Sequence, residues 1–244
     1  MLNKEDIIKR YGPNPDDWNW HRISFSYALS EDFIREFQNK VNWDYISYHQ
    51  TLSEDFIREF KDKVNWDYIS YYQTLSEDFI RKFQDKVLWD YISQKQTLSE
   101  NFIREFKDKV HWSRISYQQK LSEDFIKEFK DKVDWDYISQ KQTLSEDFIR
   151  EFKDKVNWDY ISQKQTLSEN FINEFKDQID WIVLCRDNPH CPPDIKIKYL
   201  KEHNLIKKQD PTTHDFEYFE NPIKPVNIKP VNNDLQLLKE LIQC

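Results

Sequence analysis

Carboxylates crowd this chain in clusters. Glu54, Asp55, Glu59 and Asp62 recur with small changes at one spacing along most of its length. Paired carboxylates do general acid–base work when their surroundings push their proton affinities apart. A catalytic pair is a singular feature of a pocket, however, and these copies come with cations one turn on. Glu54 precedes Arg58 and Glu59 precedes Lys63 at the i,i+4 spacing of a solvated helix face. Cys185, His190 and Cys191, with His203 and His214 downstream, are zinc-ligand types. Their spacing makes no Cys-x-x-Cys knuckle, and Cys185 stands where earlier copies place a small serine. Ser53 and its equivalents are helix caps outside any Ser-His-Asp pattern. No catalytic, cofactor-binding or metal-ligating residue is assigned. The expectation is a non-enzymatic chain with no cofactor and no small-molecule substrate.

Composition narrows the choice further. The single glycine, Gly12, leaves no phosphate-cradling loop of the Gly-rich kind. A net charge of −8 with scattered basic residues argues against a nucleic-acid partner. Hydrophobic residues make up 38% and aromatics 16%, so burial relies on Trp, Phe and Tyr with their large apolar areas. No run of about 18 apolar residues occurs, so no membrane partner is expected. Cys185, Cys191 and Cys244 cluster near one end, unlike a secreted disulfide framework, and an intracellular location is expected.

Such side chains are positioned by a strict repeat. Trp20, Trp43, Trp66, Trp89, Trp112, Trp135, Trp158 and Trp181 stand 23 residues apart, and "LSE" keeps the same beat from Leu29 to Leu167. Self-similarity at this period marks a stacked array in which one unit is one supersecondary element. Within a unit, Ser53 caps a helix whose first turn holds Glu54 and Asp55, and Leu52 can staple onto Ile57. Phe56, Ile57, Phe60 and Val64 form one helical stripe, predicting a first helix over 54–63. Asn65 caps a second helix over 66–73, as Asp134, Asn157 and Asp180 do in their units, whereas Leu88 and His111 are poor caps. So short a helix needs tertiary support, and Trp66 and Ile69 are expected to be buried between units. The other tryptophans, Trp43, Trp89, Trp112, Trp135 and Trp158, take the same structural role.

The expected fold is an all-α, right-handed or curved α-solenoid of roughly seven helix-turn-helix repeats. A leucine-rich horseshoe would need apolar residues at 94, 140 and 163, where the chain has glutamine. The predicted organisation is a capping half-repeat over 1–28 and repeats over 29–189. A capping helix follows over 190–208, then an extended Pro-containing tail over 209–234 and an amphipathic helix over 235–244. A glutamine column (Gln50, Gln73, Gln96, Gln119, Gln142, Gln165) reads either as a structural ladder between units or as the lining of a groove.

Copies differ mainly at the end of the second helix. Tyr48, Tyr71, Tyr72 and Tyr117 concentrate in the N-terminal half, and Ser113-Arg114 replaces the usual Asp-Tyr. These six are the candidate partner-binding residues, since Tyr offers contact area with a polar tip. The repeat word "VNWDYIS…QTLSEDFIREFKDK" resembles tandem repeats of proteins of giant DNA viruses of amoebae, the mimivirus relatives. That resemblance implies a virus-encoded repeat protein, in host cytoplasm or virion, and supplies no catalytic residues. The expected function is a scaffold for a host or viral protein partner. The alternative is a structural protein that self-associates through its ends or its terminal helix.

Overall fold

The computed structural model describes residues 4–202. The predicted tail and terminal helix, and the last residues of the predicted capping helix, lie outside them. Every regular element among the described residues is helical. The chain divides into two compact units, Met1–Val133 and Asp134–Cys244.

The first unit opens with α1 (Lys4–Tyr11), ended by Gly12, whose φ of 86° suits glycine and whose N–H donates to Ile8 O at 2.9 Å. A 3-10 turn (Pro15–Asp17) leads to α2 (Trp20–Ser26). Repeats follow as α3 (Glu31–Glu36) with α4 (Trp43–His49), α5 (Glu54–Glu59) with α6 (Trp66–Tyr72), α7 (Glu77–Lys82) with α8 (Trp89–Lys95), and α9 (Glu100–Glu105) with α10 (Trp112–Gln118). The unit closes with α11 (Glu123–Glu128). The second unit holds α12 (Trp135–Lys141), α13 (Glu146–Glu151), α14 (Trp158–Lys164), α15 (Glu169–Glu174), α16 (Trp181–Asp187) and α17 (Pro193–Glu202). Within each unit the second helices stack side by side, α2 to α10 in one and α12 to α16 in the other. This is helix-turn-helix repetition stacked as in a solenoid. The strand that a horseshoe requires at Tyr48 or Tyr71 is helix.

Each first helix is shorter than its apolar stripe. It was expected to reach Lys63, but α5 stops at Glu59. Phe60 leaves helical geometry at φ −106° and ψ 28°. Lys63 N and Val64 N then turn back onto the one carbonyl of Phe60, at 2.9 and 3.0 Å. The turn delivers Val64 to the core beside Phe56, Ile57, Phe60, Ile69 and Leu75, all buried. It also removes the expected pairing of Glu59 with Lys63. Glu59 instead accepts from Arg35 Nε of the preceding repeat at 2.8 Å, and Lys63 donates to Gln38 and Asn39.

The tryptophans also depart from expectation. Ile69 is fully buried, but Trp66 is half-buried, as are Trp43, Trp89, Trp112, Trp135 and Trp158. Each roofs the following first helix: Trp66 lies 5.1 Å from Phe83, Trp89 4.8 Å from Phe106, and Trp135 5.0 Å from Phe152. The indole N–H must stay hydrogen-bonded, and Trp66 donates to Lys61 O at 2.9 Å. A lysine covers the outer face, Lys86 lying 6.0 Å from Trp66 and Lys109 5.9 Å from Trp89.

Three polar columns tie successive repeats together. Gln73 is 5% exposed, its Nε2 donates to Gln50 O at 2.8 Å, and its Oε1 accepts from Leu52 N at 3.0 Å. Gln50, Gln96 and Gln165 make the same bonds one repeat apart. The glutamine column is therefore a structural ladder from side chain to backbone. A buried serine column runs beside it: Ser70 Oγ donates to Trp66 O at 2.7 Å and accepts from Leu88 N at 2.9 Å. The first glutamate of each repeat forms the third, since Glu54 accepts the Ser76 N–H and Glu77 the Ser99 N–H, both at 2.6 Å. Asn188 ends the glutamine ladder, its Nδ2 donating to Ser162 O and Gln165 O, each at 2.8 Å.

Replacing Gln73 by Leu keeps bulk but orphans the Leu52 N–H and the carbonyls of Gln50 and Ser47. Buried unpaired groups cost about 1–3 kcal/mol each, partly relieved by relaxation, so Gln73→Leu should destabilise by about 2–4 kcal/mol. Urea unfolding of the full chain measures the loss, and faster exchange at the Leu52 amide locates it.

Candidate protein-interaction surface

A second helix of seven residues can bury only part of its circumference. Ile69 and Ser70 face the neighbouring repeats with Gln73, the C-cap. Positions 68, 71 and 72 lie on the remaining side, where residues three and four apart are neighbours. Because α2, α4, α6 and α8 repeat in register, a side chain there also meets those 20 and 24 places on.

Aromatic residues fill these positions in the first unit and touch in sequence. Phe25 of α2 lies 5.4 Å from Tyr45 and 4.6 Å from His49, centroid to centroid. His49 contacts Tyr48 at 4.3 Å, and Tyr48 contacts Tyr68 at 5.3 Å and Tyr72 at 4.3 Å. Tyr72 meets Tyr71 at 4.6 Å, and Tyr71 meets Tyr91 at 5.0 Å in an edge-on pair. Lys95 closes the row with its ammonium 4.2 Å from the Tyr71 centroid. The T-shaped and tilted arrangements match the quadrupole preference of aromatic rings. Phe25 is 51% exposed and Tyr72 45%, so the strip presents ring area to solvent rather than to the core.

The residues singled out from sequence fall unevenly on this strip. Tyr48, Tyr71 and Tyr72 form its centre, Tyr71 half-buried between its neighbours. Tyr117 is exposed at the equivalent place on α10. Arg114 stands in the column that holds Tyr45, Tyr68 and Tyr91, and its Nε donates to Asp90 at 2.9 Å. Ser113 beside it is half-buried. Phe25, Tyr45, His49, Tyr68 and Tyr91 were missed. The period itself points to Phe25, 23 residues before Tyr48, and to His49, 23 before Tyr72.

The strip alters its own chemistry. The Tyr72 phenol is pushed up to about 12, first by its hydrogen bond with Tyr48, then by desolvation and by Tyr48, Tyr71 and Tyr68. Among the carboxylates, Glu54 and Glu59 are engaged between repeats and Asp55 holds Arg58. At the far end, Cys185 and Cys191 are in side-chain hydrogen-bond contact. That bond, then burial, pushes the Cys185 thiol up; the same bond lowers Cys191, with help from Lys196. His190 is exposed, and no group of His, Cys, Asp or Glu among the described residues is arranged to hold a metal ion. His203 and His214 lie outside those residues.

Comparison of the chain with protein-family models, with curated proteins and with solved structures finds no match.

Tyr72 keeps its proton in the folded state beyond the ordinary 10.0, so stability present below 10.0 should fall as pH rises toward about 12. Tyr48→Phe removes the leading cause and should return one phenol titration, followed by ultraviolet absorbance, toward the ordinary value. At neutral pH iodoacetamide should label Cys191 well before Cys185, because the thiolate is the reacting form; peptide mass mapping reads the order.

Proposed function

We propose that this chain is a non-enzymatic scaffold whose aromatic strip on α2, α4, α6 and α8 holds a protein partner. The carrying observation is the continuous row of touching rings from Phe25 to Tyr91, with Phe25, Tyr48, His49 and Tyr72 exposed and Tyr45, Tyr68, Tyr71 and Tyr91 half-buried among them. Aromatic residues with polar tips are the side chains enriched where proteins meet, and few of them carry most of the affinity. Exposed contiguous apolar area is rarely left on a surface without such a use. Catalysis is the poorer reading, since the repeated carboxylates are engaged in ladders between repeats. Among the described residues no helix is long and apolar enough to cross a membrane. A viral origin, with a host or viral protein as partner, belongs to this proposal through the resemblance of the repeat word alone. Assembly by end-to-end stacking is the weaker reading, because α17 lays Tyr199 against Trp181 at 5.6 Å over the last repeat.

The test uses immobilised full-length chain to retain polypeptides from extracts of infected amoebae. Tyr48→Ala with Tyr72→Ala should lower retention of a specific polypeptide at least about tenfold, a loss of ~1.4 kcal/mol. Gln163→Ala on α14 should leave it unchanged. If the double variant retains the same polypeptides at wild-type levels, the strip is not the binding surface.

A further inference from the structure

The first helices carry an ion-pair ladder that fails at one rung. Arg35 Nε donates to Glu59 at 2.8 Å, Arg81 Nε to Glu105 at 2.7 Å, and Arg104 Nε to Glu128 at 2.7 Å. In the second unit Arg150 Nε donates to Glu174 at 2.9 Å. The carboxylate always comes from the residue 24 places on. For Arg58 that residue is Lys82, in "EDFIRK", where the other repeats have glutamate.

The mismatch leaves a mark. Arg58 stays over the next repeat's ring, its guanidinium 5.7 Å from the Phe79 centroid, and pairs with Asp55. It lacks the ion pair to the glutamate four residues back that Arg35, Arg81 and Arg104 make. Its Nε is buried, yet it has no hydrogen-bond partner. No other side-chain nitrogen or oxygen among the described residues shares that state. Lys82 is exposed and takes no partner among the described residues. Two cations thus stand where the fold elsewhere places one cation and one carboxylate. An unsatisfied buried donor is costly, and a guanidinium prefers a planar oxyanion across its fork.

We propose that Arg58 and Lys82 form a site for a carboxylate of a polypeptide partner, an Asp or Glu side chain filling the place of the missing glutamate. The carboxylate accepts from Arg58 Nε as Glu59 and Glu105 accept in the sibling repeats. The long, flexible Lys82 side chain swings to add its ammonium to the same oxygens. Charge complementarity and the sibling geometry identify the occupant. The site lies on α5 and α7, apart from the aromatic strip, and stands whether or not the strip binds anything.

The test follows the arginine Nε–H signals of the isotope-labelled full chain by NMR. An acetylated, amidated tetraglutamate peptide should shift the Arg58 signal saturably and leave those of Arg35, Arg81 and Arg104 in place. Lys82→Glu supplies the residue that sibling repeats already carry, so the fold is retained. It should weaken the peptide response at least tenfold and move the free Arg58 signal toward its siblings. An unmoved Arg58 signal, equal shifts at all four arginines, or an undiminished response in Lys82→Glu would each overturn the proposal. So would a response to inorganic phosphate without one to the peptide.

Discussion

A buried amide side chain that only the preceding repeat can satisfy governs this stack. Gln73 reaches back to the carbonyl of Gln50 and receives the N–H of Leu52, with essentially no water to substitute. Inserting or deleting a residue between two such glutamines would strand buried donors and acceptors on both sides. This explains why the tryptophan beat never slips. The serine and glutamate columns repeat the constraint at the next two places where backbone N–H groups would otherwise be orphaned, the caps at Leu88 and Ser76. Leu88 and His111 make no side-chain cap, yet their own N–H groups are still received by Ser70 and Ser93. The inter-repeat bond therefore tolerates a substitution that the local cap does not.

That division of labour places variation where it costs little. Phe56, Ile57 and Ile69 are fully buried and recur with almost no change, while the outer side of the second helix has no obligatory partner. The first unit fills that side with Phe25, Tyr48, Tyr71 and Tyr72, whereas α12 and α14 carry Gln-Lys pairs there. On the first helices the ladder neutralises nearly every guanidinium, so the single exchange at Lys82 becomes a local excess of positive charge. Both departures leave the core untouched. Repeat proteins gain surface diversity this way, because each unit's stability depends on its neighbours and not on its outer face.

The candidate surface was partly legible. Tyr48, Tyr71 and Tyr72 stood out because they break a repeating pattern, and repeat-to-repeat difference is visible in one chain. Tyr45, Tyr68 and Tyr91 did not, because they obey the pattern and so resembled scaffold. Whether such a residue faces solvent depends on which arc of a two-turn helix its neighbours cover. Ser113 and Arg114 broke the pattern too, but Arg114 turned out to answer Asp90 across the repeat. The half-burial of Trp66 was equally hidden: its spacing marks a structural role, but not whether it fills a core or roofs one.

By itself the sequence determined the period, the caps at Ser53 and Asn65, the apolar stripe and the helical class, because these are local properties of residue type and spacing. Tertiary structure decided where the first helix stops, since two N–H groups converging on the Phe60 carbonyl depend on Val64 finding the core. It also decided that the glutamines form a ladder rather than line a groove, and that charges pair between repeats rather than along one helix. Each outcome turns on a partner about one period away in the chain, and no local spacing rule can name a partner that only stacking brings within reach.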